Sequence, residues 1–181
     1  MAVLVSFSKI FGILSDFLLV LEIILIFVFI FKSKKFSYSS PKSPCSVRTS
    51  LHSSPKSPRS VRTSLYWLTF FFITFSSAFL LASLLKFLLP FPRPLNLIEG
   101  KILYDSFPSR HTLIASSLAF SSFSLNYKLG ILNIFFAILI GLFRILGLYH
   151  WPQDVLAGFL LGFILSLLIK EIYKIKRNEH S

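Results

Sequence analysis

Long apolar runs separated by short polar interruptions dominate this chain, and the runs have the length of membrane-crossing helices. A hydrocarbon core of roughly 30 Å takes about 20 apolar residues in a helix. Five runs reach or approach that length: residues 10–31, 66–89, 108–125, 129–149 and 152–173. The second stops where Pro90, Pro92 and Pro94 break the helix. The third is the shortest and the richest in Ser and Ala. The predicted fold is an all-α integral membrane bundle of five transmembrane helices with a disordered cytoplasmic loop. Its parts are an amphipathic surface segment with the first helix (1–31), a basic Ser/Pro loop (32–65), a four-helix membrane core (66–173) and a basic tail (174–181).

Composition agrees with a membrane setting. Hydrophobic residues make up 54% of the 181 residues, and 22 residues are Phe. A soluble domain of this size has no interior large enough to hide them. One Cys, Cys45, excludes a disulfide framework and a thiolate metal cluster. No cleavable signal peptide is read, because the first apolar run is long and no small-residue site follows it. No metal set and no cofactor are expected, and nothing fixes the oligomeric state.

The net charge of +12 calls for an anionic partner. The cations lie between apolar spans, so membrane lipid fits better than nucleic acid. Lys and Arg also set orientation. They crowd the 32–65 loop, Lys128 and the tail, which predicts those segments on the cytoplasmic side of the plasma (inner) membrane. Lys9, Lys86, Arg93, Lys101, Arg110 and Arg144 break that pattern. Binding an anion on the outer face is the simplest reason for them. Residues 39–51 (SSPKSPCSVRTSL) return as 53–65 (SSPKSPRSVRTSL). This tandem repeat reads as a solvated linker, or as a polybasic tether to anionic head groups that phosphorylation would weaken.

Three segments hold chemistry: residues 86–94 (KFLLPFPRP), 107–112 (FPSRHT) and 144–154 (RILGLYHWPQD). The topology puts all three at outer helix ends. Lys86, Arg93 and Arg144 offer charge and directional donors to a phosphate. Pro108 suits the first turn of the third helix, with Asp105 or Ser106 as its cap. Ser109 adds a hydroxyl. Asp154 follows His150 by four and can hold one imidazole nitrogen, leaving the other to attack. His111, on another helix, is a candidate general acid. Asp16 and Glu22, acids inside the first span, are functional candidates by their cost.

These residues resemble the type 2 phosphatidic acid phosphatase superfamily, whose signatures are Lys-x6-Arg-Pro, Pro-Ser-Gly-His and Ser-Arg-x5-His-x3-Asp. Lys86, Arg93, Pro94, Pro108, Ser109, His111, Arg144, His150 and Asp154 match in order and spacing. The resemblance implies a lipid phosphatase. His150 would be the nucleophile forming a phosphohistidine, Asp154 its orienting carboxylate and His111 the acid, then the base. Lys86, Arg93, Ser109 and Arg144 would bind phosphate. Substrates suggested by relatives are undecaprenyl diphosphate, phosphatidylglycerophosphate, phosphatidic acid and lipid A 1-phosphate. Arg110 replaces the usual Gly; its long side chain would fill or recharge the pocket, and in the latter case favour a diphosphate or a second anionic group. Phe143 replaces the usual Ser. A phosphotransferase, or a non-catalytic lipid-phosphate binder or transporter, uses the same cations; the His–Asp pair argues for catalysis. The Ser and Ala run at residues 115–124 reads as a close-packing surface. Tyr149 and Trp151 read as interface anchors.

Overall fold

The computed structural model describes residues 2–36, 59–95 and 104–179. The first repeat, residues 53–58 of the second, Cys45, Lys101 and the end of the tail lie outside the described residues. The described residues form five helices and no strand: α1 (Ala2–Phe36), α2 (Arg59–Leu88), α3 (Arg110–Ser122), α4 (Tyr127–Leu146) and α5 (Pro152–Glu179).

Four of these are long and apolar enough to cross a membrane: Val5–Lys32, Ser64–Leu88, Tyr127–Leu146 and Pro152–Lys174. The fifth expected span is a helix of 13 residues. At 1.5 Å per residue it rises about 20 Å, well short of the hydrocarbon thickness. The apolar run at 108–125 misled because both of its ends are not helical. Pro108 and Ser109 precede α3, and residues 123–125 turn tightly through bonds such as Ser124 N–H to Ser121 O at 3.0 Å. The helix boundaries shift elsewhere too. Residues 2–9 continue α1 without forming a separate surface segment, and α2 begins inside the second repeat at Arg59.

α3 is the centre of the bundle and touches all four other helices, most extensively α5 and α4. Its small residues make this possible: Ala115, Ser116, Ser117, Ala119, Ser121 and Ser122 are all buried. Gly158 and Gly162 of α5 bring the two backbones together. A Cβ on Gly162 would lie 2.0 Å from Ser116 Oγ and 2.6 Å from the carbonyl oxygen of Leu113. A Cβ on Gly158 would lie 2.8 Å from Ser109 O. Buried hydroxyls cost free energy unless they are bonded. Ser117 and Ser122 therefore donate within their own helix, to Ile114 O and Leu118 O, both at 2.8 Å. Ser122 also accepts from Asn133 Nδ2 at 2.9 Å, and Ser121 meets Ser166 of α5 at 3.1 Å.

The outer surface is the reverse. Ile13, Phe72, Leu80 and Phe87 are exposed, Phe87 by 83%. That arrangement suits a chain whose solvent is hydrocarbon, and the protein is multi-pass by helix length and composition. Glu22 is fully buried on the packed face of α1, and neither carboxylate oxygen has a hydrogen-bond partner.

Candidate active site

The site forms where α2 ends, α3 begins, and α4 turns into α5. Lys86 lies in the last turn of α2 and donates to the carbonyl of Asp105, with Ser106 O at 3.5 Å. Arg93 Nη2 pairs with Asp105 Oδ2 at 2.6 Å. Ser106 N–H bonds Phe91 O at 2.9 Å. The strap before α3 is thus pinned to the proline-broken end of α2.

The α3 cap differs from the expected one. Ser109 is the N-cap residue, with φ −68° and ψ 106°. Pro108 lies outside the helix, Asp105 is engaged by Arg93, and Ser106 Oγ donates to Asp154 Oδ2. Ser109 N–H bonds Asp154 O at 3.0 Å, and its hydroxyl meets Thr112 Oγ1 at 3.0 Å. Cap identity depended on tertiary partners that the local pattern did not show.

The α4–α5 turn carries the two other basic and nucleophilic groups. Arg144 closes α4, and its carbonyl accepts the N–H groups of Tyr149 (3.1 Å) and His150 (3.2 Å). Leu148 takes φ 56°, the left-handed region, to reverse the chain. Its carbonyl accepts Leu95 N–H at 2.9 Å, and Trp151 Nε1 donates to Pro92 O at 3.0 Å. Pro152 opens α5 as expected, placing Asp154 in the first turn.

Asp154 Oδ2 accepts from Ser106 Oγ and from Trp151 N–H at 3.0 Å. His150 Nδ1 stands 3.9 Å from that oxygen, an ion-pair distance longer than a hydrogen bond. His150 is only 3% exposed. Burial pushes its imidazole well below the ordinary histidine range, and Lys86, Arg93 and Arg144 push the same way. The ring is therefore neutral near pH 7, with a lone pair available.

Asp16, Lys86, Arg93, Asp105, Arg110, His111, Arg144 and His150 line one cavity of about 350 Å³. Six of the eight residues expected to catalyse or bind phosphate thus converge, joined by Asp16 and Asp105. Ser109 and Asp154 stand buried behind the wall. The guanidinium of Arg110 lies 5.4 Å from the Phe79 ring centre while lining the cavity. Phe143, in place of the family's Ser, packs on Phe11 of α1 at 5.8 Å. Asp105 was read only as a possible cap. Asp16 is an acid inside the first apolar span, and its cost there was the available signal. Among the described residues, no three His, Cys, Asp or Glu side chains group to hold a metal ion. Four cations outnumber the two carboxylates that line the cavity, which leaves its wall net positive.

The class these features define is a helical membrane bundle with a basic, histidine-bearing cavity at its helix ends. The profile of the PAP2 superfamily matches residues 65–178. The chain belongs to that superfamily, and the matched stretch holds all three signature segments. An undecaprenyl-diphosphatase of Sulfolobus acidocaldarius is 35% identical over 107 residues, covering 55% of this chain and 52% of the relative. The bacitracin transport permease protein BcrC of Bacillus licheniformis is 40% identical over 78 residues, covering 43% of this chain and 38% of the relative. The chain thus matches about half or less of these curated relatives' length. No solved structure matches it.

Proposed function

We propose that the protein is a membrane lipid phosphatase that removes phosphate from a lipid phosphomonoester or diphosphate. Undecaprenyl diphosphate is the favoured substrate. The observation that carries the reading is the convergence of Lys86, Arg93, Arg110, His111, Arg144 and His150 around one cavity at the ends of apolar helices. The name of the Sulfolobus acidocaldarius relative supports the substrate class. Arg110 supports a diphosphate, because it adds a cation beyond those a single phosphoryl group takes up.

In this reading the lipid stays in the bilayer and presents its head group sideways. Lys86, Arg93 and Arg144 hold the phosphoryl oxygens, and Ser109 steadies the N-terminus of α3 against them. His150 Nε2 attacks phosphorus, since Nδ1 faces Asp154. The resulting N–P bond gives a phosphohistidine as the lipid oxygen departs with a proton from His111. Water then attacks phosphorus and gives its proton to His111, releasing phosphate and restoring His150. The site faces the non-cytoplasmic side, as the distribution of Lys and Arg predicts.

Phosphate release from purified protein in detergent with EDTA tests this. Wild type is expected to turn over, and His150→Ala to lose about 10⁴-fold or more in kcat. Activity that survives the substitution refutes the mechanism. Lipid-phosphate binding without turnover in wild type refutes the enzyme reading in favour of a binder.

A further inference from the structure

α1 lies outside the family-matched residues 65–178, yet it reaches the cavity. It docks through residues at four-residue intervals, which fall on one helix face. Ser8 Oγ donates to Gly147 O at 2.6 Å. Gly12 packs on the Tyr149 ring, where a Cβ would lie 2.8 Å from the hydroxyl. Asp16 comes next. A single oxygen of its carboxylate, Oδ1, pairs with Arg144 Nη2 and with His111 Nε2, the latter at 3.1 Å.

We propose that Asp16 is a positioning residue of the reaction, binding Arg144 and His111 into one unit and supplying the countercharge that lets His111 act as the acid. The inference rests on the phosphatase reading. His111 shares the cavity with Lys86, Arg93, Arg110, Arg144 and His150. Four of these are cations that oppose a further positive charge on its ring. The other carboxylates are engaged elsewhere: Asp105 with Arg93, and Asp154 with Ser106 and Trp151. Among the described residues, Asp16 is the carboxylate paired with His111. Arg144 gains as well. It is 6% exposed, and Asp16 is its carboxylate partner. A buried cation with no partner is costly.

The chemistry balances with Asp16 unchanged. Its carboxylate holds the Nε2 proton of His111, leaving the other ring nitrogen to exchange protons. As the His150–phosphorus bond forms and the bond from phosphorus to the lipid-side oxygen breaks, the imidazolium protonates that departing oxygen, which belongs to an alkoxide when the substrate is a monophosphate and to the lipid monophosphate when it is a diphosphate. In the second half the neutral ring accepts a proton from the attacking water as the nitrogen–phosphorus bond breaks. Asp16 stands 3.1 Å from His111 Nε2, closer than the 3.9 Å between Asp154 and His150 Nδ1.

Leaving-group dependence tests the role, using full-length protein in detergent with EDTA. One substrate is a prenyl monophosphate, whose alkoxide must be protonated. The other is para-nitrophenyl phosphate, whose phenolate leaves without a proton. Asp16→Asn is expected to lower kcat about 10²-fold on the prenyl ester and under about fivefold on the aryl ester, with KM little changed. Asp16→Glu, which keeps the charge, is expected to recover at least about a tenth of wild-type kcat on the prenyl ester. Equal losses on both substrates would make Asp16 a structural prop and overturn the proposal. So would a folded Asp16→Glu as inactive as Asp16→Asn, or a rise in kcat/KM in Asp16→Asn, which would mean the carboxylate competes with phosphate. A wild type that turns over neither substrate, and no prenyl diphosphate either, refutes the phosphatase reading itself.

Discussion

α3 and α1 meet at the same cavity and are opposite in nearly everything else. α3 has 13 residues, is rich in Ser and Ala, and is buried along most of its length. α1 has 35 residues, is apolar almost throughout, and exposes Ile13, Phe17, Val20 and Phe27. The solvent explains the difference. A helix facing lipid needs only apolar bulk, because nothing has to fit against it. A helix ringed by four others must let backbones approach, so small residues replace large ones. α3 therefore gives the site a rigid seat for Ser109 and His111. α1 brings to the cavity Asp16, whose side chain is 60% exposed, while Ser8 and Gly12 dock on the α4–α5 turn beside it. The framework of the site belongs to α3, and adjustment of its charge belongs to α1.

The most damaging way to break this contrast is Gly162→Ala. The new methyl group would lie 2.0 Å from Ser116 Oγ and 2.6 Å from a backbone oxygen, Leu113 O. The hydroxyl can rotate away, but the backbone oxygen cannot. Overpacking of this kind costs up to about 3 kcal/mol, well above the ~1 kcal/mol that Ala gains over Gly in a helix. Thermal unfolding in detergent is expected to drop sharply, and turnover with it, because α3 carries His111. A variant as stable as wild type would show that α3 has room, and the rigid-seat argument would fail.

A pH series gives a smaller effect from the same buried side. The folded-state affinity of His150 for a proton is lowered, mainly by burial. Above about pH 6.5 the ring is neutral in both folded and unfolded chains, so it adds no pH dependence. Below that, the unfolded chain takes up a proton that the folded one refuses, and stability falls as pH falls. By pH 5.5 this amounts to about 1.4 kcal/mol. His150→Asn is expected to flatten that part of the curve. A mutant curve as steep as wild type would assign the acid sensitivity to another group.

The same contrast explains what could be read from the chain. The cavity-lining cations and histidines were legible because phosphate chemistry demands specific side chains, and their spacing survives any change in the surrounding apolar residues. Membrane class was legible from run length. The length of α3 was not, since Ala, Leu and Ser at residues 113–125 read alike in a helix and in the turn that ends it. The cap was missed for a related reason. Asp105 and Ser106 looked free locally, but Arg93 and Asp154 had claimed them. The link between Asp16 and Arg144 spans 128 residues, and no local pattern encodes that. The acid's cost in an apolar span was visible, while its partner was not.

Gly12→Ala applies the same substitution to the α1 side and is expected to do least. Its methyl group would meet Tyr149 Oη at 2.8 Å and Cε2 at 2.9 Å. Both atoms belong to the far end of a side chain that can rotate, unlike Leu113 O behind Gly162. The ring's movement has one consequence, because Tyr149 lies 5.3 Å beneath the Arg144 guanidinium. Weakening that stack costs about 0.5–1 kcal/mol, close to what Ala gains over Gly in a helix. The melting temperature is therefore expected to stay within a few degrees of wild type. Turnover is expected to fall only a few-fold, through a displaced Arg144. Measured beside Gly162→Ala, the pair reads the contrast directly. A Gly12→Ala loss as large as that of Gly162→Ala would mean that α1 is seated as tightly as α3, and Asp16 would then be part of the rigid frame of the site.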